Sequence, residues 1–260
     1  MHDPKWCIFF DFHTMPACPD VGANFDAEAI ADQLASCGVD YVVFPAKCNL
    51  GMAYYNTQVG TRHYSLQFDL WGSLCEALKE RGIALTAYMN IGLSHEDALR
   101  HREWCVLNQE GRTYGEDRLN SFFRQMCYNT PYADQQEAMV REVAANYPSA
   151  GFFFDCIYTQ PCVGVECLED MRERGVDWTD EAQLHDYNIQ KHVRMIRPRS
   201  CSGIWQPWNP ARSLKVPATR GKYQVFSDTL KQSARSCGRS VYVRSLSLGG
   251  SRRAGDHVAS

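Results

Sequence analysis

The sequence lacks the features that mark membrane-spanning, exported and nucleic-acid-binding proteins. No apolar run approaches the roughly 18 residues of a transmembrane helix. The short apolar run near the N-terminus has polar flanks and does not form the core of a signal peptide. The formal net charge is only −3 at pH 7, so we expect no nucleic-acid partner and no anionic membrane surface. These absences predict a cytoplasmic protein whose ligand is neutral or small and polar.

Several catalytic motifs are also missing. The chain has no GxGxxG after a strand and no GxxxxGK[ST], which argues against a bound nucleotide. It has no HExxH and no GxSxG, which argues against a zinc protease and a serine hydrolase. We therefore expect no cofactor.

Cysteine is abundant, with 12 residues in a chain that shows no export signal. We expect free thiols rather than a disulfide framework. Cys156, Cys162 and Cys167 cluster in sequence with Glu166, which raises the alternative of a zinc site. Their spacing is not that of a CxxC pair and no histidine follows closely. The sequence therefore predicts reduced structural thiols and no metal site.

What the chain does contain is an alternation of buried strands with amphipathic helices. Four continuous apolar segments predict parallel strands at about 6–12, 41–46, 83–91 and 151–158. Helical periodicity lies between and after them, at 27–37, 70–81, 131–147 and 180–196. Such alternation predicts an α/β fold of the (β/α)₈ barrel type.

The composition changes near residue 198. Residues 199–260 are basic and rich in serine, with Asp228 and Asp256 as their only acids. Only a short candidate strand at 240–243 stands out there. We therefore divide the chain into the N-terminal part of a catalytic barrel, residues 1–198, and a divergent or truncated C-terminal segment, residues 199–260. An incomplete barrel exposes apolar edges, which favours a homo-oligomer.

Asp155 is the sharpest functional signal in the sequence. It follows three consecutive phenylalanines at the end of the fourth predicted strand, where a charge is costly unless it is solvated, paired or functional. Glycoside hydrolases require a carboxylate in such a place to attack the anomeric carbon of a sugar. The alternative is a strand-end carboxylate that bonds a neighbouring loop.

Other candidate ligand-binding side chains follow the predicted strands. Asp11 and His13 leave the first strand on alternate positions and therefore point to one side. Beyond the second strand lie polar and aromatic groups of the kind that hold sugars, and two further aromatics complete the set. These candidates are Lys47, Asn49, Tyr54, Tyr88 and Trp104, the last of which lies in a long connection, residues 94–129, that we interpret as a lid or binding loop.

Four ordered segments resemble the α-L-fucosidase family of glycoside hydrolases, and in particular its bacterial relatives described as hypothetical glycosyl hydrolases. They are IFFDFHT at 8–14, FPAKCNLGMAYYNTQVG at 44–60, GIALTAYMNIG at 82–92 and GFFFDCIY at 151–158. The resemblance extends over residues 6–198. It implies that His13 binds sugar and that Asp155 is the nucleophile. In the family a Lys-His-His-Asp-Gly-type stretch follows the second strand, and this position is occupied here by Lys47, Cys48, Asn49 and Gly51, without the two histidines.

The resemblance further implies retaining hydrolysis of a terminal neutral or deoxy sugar such as L-fucose. A second carboxyl must then protonate the leaving oxygen and later activate water. Glu110, Glu116 and Glu166 are the available candidates, and Glu166 is the one we select. Two other functions stay open: a catalytically inactive or fragmentary sugar-binding barrel, and a metal-dependent barrel hydrolase that uses Asp11, His13 and Asp155.

Overall fold

A computed structural model describes residues 5–114, 124–157, 161–196 and 240–243 of the chain. The strands are β1 (Cys7–Phe9), β2 (Tyr41–Lys47), β3 (Met52–Ala53), β4 (Thr61–Arg62), β5 (Ala84–Asn90), β6 (Gly151–Asp155) and β7 (Ser240–Val243). The helices are α1 (Ala27–Ser36), α2 (Leu70–Glu80), α3 (His95–Arg100), α4 (Tyr132–Asn146), α5 (Val165–Glu173) and α6 (Glu181–Ile196). A short 3₁₀ turn follows α3 at Arg102–Trp104.

Five of the strands form a parallel sheet in the order β1-β2-β5-β6-β7. The two-residue strands β3 and β4 attach beyond the end of β2, and β3 runs antiparallel to it. Parallel strands that follow one another in chain order, joined by right-handed crossovers, place their helices on one face of the sheet, as in a barrel. Within the described ranges the sheet does not close, because β1 and β7 do not pair with each other.

The four predicted strands are confirmed, with differences in length. The first pairs only over Cys7–Phe9, because it has a single partner, β2, among the described residues. The fourth ends at Asp155, and Tyr158 lies outside the described residues. The candidate strand at 240–243 is also confirmed, as β7, which pairs with β6. The remainder of segment 199–260 lies outside the described residues, so the domain boundary near 198 stays a prediction.

The helix-facing side of the sheet forms the main hydrophobic core. Fully buried residues of α2, including Trp71 and Leu74, pack against it, and the Trp71 indole donates to the carbonyl oxygen of Phe44 at 3.2 Å. Both α1 and α2 begin at an aspartate whose side chain accepts a backbone amide, as expected of N-caps. All four predicted helices are confirmed, and each of their ends lies within one residue of the predicted position.

The long connection after β5 is more ordered than its weak periodicity suggests. It contains α3, which the sequence did not predict because the helix is only six residues long. Ser94 caps this helix by accepting the amide of Asp97 at 3.2 Å. Residues 115–123 of the connection lie outside the described residues, so its role as a lid stays a prediction. In the part of the chain that the structure describes, no helix is long and apolar enough to cross a membrane.

Gly92, just beyond β5, allows the ends of β5 and β6 to approach closely. A Cβ atom at this position would lie 1.6 Å from the carbonyl oxygen of Cys156. We expect Gly92→Ala to lower the free energy of unfolding by about 3 kcal/mol because the backbone of Cys156 must move. The measurement is urea unfolding of both proteins followed by circular dichroism.

Gly82→Ala is the matched control for this substitution. Gly82 has a positive φ of +71° but nothing within 4 Å of its added Cβ, so it measures backbone strain alone, about 1 kcal/mol. Equal losses in the two variants would contradict the close approach at Gly92.

Candidate active site

Polar side chains gather at one edge of the sheet, which we call the carboxyl edge. Its members lie at or just beyond the ends of parallel strands and are Asp11 and His13 after β1, Lys47 and Cys48 at β2, Asn90 at β5 and Asp155 at β6. In parallel β/α folds this edge is where loops and strand ends build active sites. The register supports the grouping, since Asn90 lies directly opposite Asp155.

Asp155 is a buried carboxylate, only 7% exposed. Its Oδ2 accepts a hydrogen bond from the Tyr88 hydroxyl at 2.7 Å, and the Asn90 amide donates to the same hydroxyl at 3.1 Å. No described residue lies within hydrogen-bonding distance of the buried Oδ1. An unpaired buried carboxylate oxygen is costly, and such groups are kept mainly where function requires them.

Tyr88 acts here as a hydroxyl donor. Burial raises the pKa of Tyr88 strongly, and the negative charge of Asp155 adds to that effect. Because the phenol stays protonated, it holds one oxygen of Asp155 in a fixed orientation. The ring itself stacks against Phe153, with ring centroids 5.9 Å apart, and meets Phe9 edge-on.

Cys156 follows Asp155 in an unusual backbone conformation, with φ of 59°. Residues other than glycine rarely adopt this left-handed region, and those that do cluster at functional sites. The Cys156 thiol lies 3.0 Å from the amide nitrogen of Asn90 and 3.6 Å from Asp155 Oδ2. This turn therefore stops β6 abruptly and leaves Asp155 at the carboxyl edge.

His13 lies between Asp11 and Cys48. Its Nε2 is 3.2 Å from Asp11 Oδ1, and its ring shares a hydrogen bond with the Cys48 thiol. Burial opposes protonation of the ring, but the hydrogen bond with Cys48 and the charges of Asp11 and Asp155 outweigh it and raise the pKa of His13. Burial likewise disfavours the Cys48 thiolate, yet hydrogen bonds from His13, Tyr54 and the backbone lower its pKa. The hydrogen bond between the imidazole and the thiol contributes to both shifts.

Tyr54 supports this pair from the loop after β2. Its hydroxyl accepts the Thr14 amide at 3.2 Å, contacts Thr14 Oγ1 and hydrogen-bonds Cys48. Burial and the nearby charge of Cys48 raise the pKa of Tyr54 well above its usual value. Tyr54 is fully buried, so its ring is covered by protein atoms. Only its hydroxyl group takes part in the contacts at the carboxyl edge.

Lys47 and Asn49 are also buried. The Lys47 ammonium donates to the carbonyl oxygen of Asn90 at 2.6 Å and to that of Leu93 at 3.4 Å, which ties β2 to the end of β5. Burial lowers the pKa of Lys47, although the charge of Asp97 opposes this shift. Asn49 Oδ1 has no hydrogen-bond partner among the described residues. The predicted sugar contacts of both residues stay predictions.

Two other predicted site residues contact different parts of the molecule. Trp104 stacks on His101, with ring centroids 3.7 Å apart, and packs against a separate hydrophobic cluster that includes Met126. Glu166 lies in the first turn of α5 and lines a cavity together with Lys191. Neither residue contacts Asp155 through the interactions that the structure describes, so their assigned roles also stay predictions.

The structure adds Asn90 to the residues predicted from sequence, and it gives Cys48 and Cys156 contacts that the sequence did not predict. Asn90 shows the same signal as Asp155, a polar residue that ends an apolar strand, and could have been found by it. Cys48 acquires significance only through its contact with His13, 35 residues away in the chain. No local pattern reveals such a contact.

The cysteines in the described ranges form no disulfide bond. The three that cluster in sequence separate in space, since Cys156 lies at the carboxyl edge while Cys162 and Cys167 meet Cys127. Among the described residues, the only set of three candidate ligand atoms within 4.8 Å of one another consists of the sulfurs of Cys127, Cys162 and Cys167. Asp11, His13 and Asp155 therefore do not form a compact metal site.

A parallel β/α sheet whose carboxyl edge holds a buried, oriented carboxylate is compatible with the carboxylate chemistry of glycoside hydrolases. The comparison with family models agrees with this class. Residues 26–156 match the family described as hypothetical glycosyl hydrolase 6, and the chain belongs to that family.

Solved structures of α-L-fucosidases resemble this chain. The α-L-fucosidase isoenzyme 2 from Paenibacillus thiaminolyticus is 27% identical, with a TM-score of 0.69 over 73% of this chain and 29% of that one. The α-fucosidase of Thermotoga maritima in complex with fucose is 22% identical, with a TM-score of 0.39 over 67% of this chain and 34% of that one. The chain thus spans about a third of the length of these proteins. No curated protein matches it.

The contact between His13 and Cys48 predicts a shifted titration. We expect the imidazole of His13, followed by NMR, to titrate above its usual pKa of 6.5 because protonation is favoured by Cys48, Asp11 and Asp155. Cys48→Ala should lower that pKa, whereas Cys75→Ala, at a buried cysteine in the main core, should leave it unchanged. The resonance is assigned by its loss in His13→Gln.

The sign of the stability effect follows from the raised pKa. The contribution of protonated His13 is fully present below the pKa of an unfolded histidine and is lost as pH rises through the folded-state pKa. A parent protein whose His13 titrates at or below the value in the unfolded chain would contradict the assigned pairing.

Proposed function

We propose that the chain carries the nucleophile of a retaining glycosidase site of the α-L-fucosidase type, with Asp155 in that role. The observation that supports this role is that the two carboxylate oxygens of Asp155 have different hydrogen-bonding surroundings. The Tyr88 hydroxyl holds Oδ2 at 2.7 Å, while Oδ1 has no partner among the described residues. A nucleophile needs one oxygen that is fixed in direction and another that no protein donor holds, so that it can bond to the anomeric carbon.

The proposed reaction has two steps. In the first, Asp155 Oδ1 bonds to the anomeric carbon while the bond to the leaving oxygen breaks and that oxygen takes a proton from a second carboxyl. In the second, water loses a proton to the same carboxyl and hydrolyses the glycosyl ester, which restores Asp155. Glu166 is our candidate for the second carboxyl. It lies in the first turn of α5, the helix that follows β6 and Asp155 in the chain.

The proposed substrate is a terminal neutral or deoxy sugar, with L-fucose as the leading example. The likeness to the Paenibacillus enzyme supports this choice, as does the chain's lack of a strong net charge. His13 and Asp11 at the carboxyl edge offer a donor and an acceptor for sugar hydroxyls. The raised pKa of His13 favours its donor form, which suits a hydroxyl oxygen rather than a cationic ligand.

A carbohydrate-binding function without hydrolysis is the second candidate. It is favoured by the burial of Lys47, whose ammonium bonds backbone carbonyls instead of projecting from the carboxyl edge. The two candidates differ in whether Asp155 reacts.

We expect Asp155→Asn to reduce kcat/KM on a responsive aryl glycoside by about 10³-fold or more, because an amide cannot form the glycosyl ester. The assay uses the purified chain on a panel of aryl glycosides that includes the α-L-fucoside. Asp32→Asn, at an exposed carboxylate paired with Arg81, is the matched control and should leave turnover unchanged.

Tyr88→Phe should reduce kcat/KM in the same assay by about 10²-fold, since Asp155 then loses its fixed orientation.

Chemical rescue separates a nucleophile from a general base. Azide added to an Asp155→Gly variant should restore cleavage and yield a glycosyl azide of inverted anomeric configuration, because the small anion replaces the missing carboxylate and displaces the leaving group directly; azide that rescues an acid/base variant gives retained configuration instead. If the folded parent protein hydrolyses no glycoside but binds a sugar in calorimetry, the glycosidase proposal is wrong and the binding function is supported.

A further inference from the structure

A second cluster of reactive groups lies apart from Asp155. We call it the thiol cluster and define it as Cys127, Cys162 and Cys167, which are at most 2% exposed. Their sulfur atoms lie within 4.8 Å of one another, and those of Cys127 and Cys167 are 3.4 Å apart. A tetrahedral zinc ion with Zn–S bonds of about 2.3 Å holds its sulfur ligands about 3.8 Å apart. The cluster therefore has nearly the dimensions of a metal-thiolate centre.

A buried lysine indicates that the cluster bears negative charge. The Lys191 ammonium, from α6, contacts the sulfur of Cys167 at 3.5 Å and that of Cys127 at 3.7 Å. Lys191 is only 2% exposed. A cation so deeply buried is costly unless an anion pairs with it, and the hydrogen bonds described for Lys191 go to these sulfurs, while its ammonium also lies over the Tyr187 ring. Ordinary apolar packing of three thiols would not require this ammonium.

Polar groups also surround the sulfurs from outside. The Asn129 amide lies 3.6 Å from the sulfur of Cys167 and hydrogen-bonds the Tyr187 hydroxyl at 2.5 Å. That hydroxyl donates in turn to Asp170 at 2.8 Å. Hydrogen bonds of this kind orient the ligands of metal sites and tune the charge on their sulfurs.

We propose that the thiol cluster is a zinc site in which Cys127, Cys162 and Cys167 are the ligands and the fourth position is open to water. Asn129 and Lys191, which contact the sulfurs, also line a cavity of about 470 Å³, and we place the source of that water there. Binding displaces the remaining thiol protons to solvent, so zinc affinity rises with pH.

The charges select zinc over copper(I). Three thiolates, one divalent cation and the Lys191 ammonium sum to zero, which is the state that a buried site favours. A monovalent cation in the same place would leave one uncompensated negative charge. The zinc proposal does not rest on the glycosidase proposal, although Glu166, our candidate second carboxyl, directly precedes Cys167 and lines the same cavity.

Cobalt(II) tests the site directly in the full chain, reduced and stripped of metal by a chelator. We expect one equivalent of cobalt to produce a thiolate-to-cobalt charge-transfer band with tetrahedral d–d bands, and zinc to abolish them. Cys162→Ala and Cys167→Ala should lose these bands, whereas Cys75→Ala, at a buried cysteine of the main core, should retain them. Lys191→Gln should weaken affinity by about tenfold or more.

Zinc X-ray absorption on the parent protein keeps the test independent of how the variants fold. The expected first shell has three sulfurs at about 2.3 Å and one nitrogen or oxygen at about 2.0 Å. A folded, reduced parent that gives no charge-transfer band with cobalt would overturn the proposal and leave three structural thiols. A zinc shell without sulfur would overturn it equally.

Discussion

The parallel ladder between β5 and β6 is the interaction on which the rest of the structure depends. It sets Asn90 opposite Asp155 and places Tyr88 close enough to hold one oxygen of that carboxylate. A one-residue slip in register would turn these side chains to the helix-covered face. The close approach of Gly92 to the Cys156 carbonyl then holds the two strand ends together.

This arrangement buries several polar groups at the carboxyl edge, which costs free energy. Hydrogen bonds and charge pairs with neighbouring residues offset most of that cost. The Lys47 ammonium bonds two backbone carbonyls, and His13 pairs with Asp11 and Cys48. Oδ1 of Asp155 is left without a partner among the described residues. Asn49 Oδ1, just beyond β2, is likewise without a partner among the described residues. Buried polar atoms left unsatisfied require an explanation, and the proposed role of Asp155 supplies one for its own oxygen.

The carboxyl edge and the thiol cluster are built from different elements. The first comes from the ends of parallel strands, whereas the second joins the loop before α4, the start of α5 and the inner face of α6. Lys191 belongs to the cluster and has no contact with Asp155 among the described interactions. Glu166, the proposed second carboxyl, directly precedes Cys167 and lines the cavity beside the cluster, so variants of Asp155 and of the three cysteines are the ones that test the two sites separately.

The sequence by itself determined the alternation of strands and helices, because apolar runs and helical periodicity are local properties of the chain. It also singled out Asp155 and His13 as candidate site residues, since a polar group at the end of a buried strand is visible in order along the chain. Only the tertiary structure decided that Lys47 bonds carbonyls, that Trp104 packs elsewhere and that Cys127 joins Cys162 and Cys167. Those outcomes depend on which distant segments meet, and contact across 35 or more residues leaves no periodic signal in the sequence.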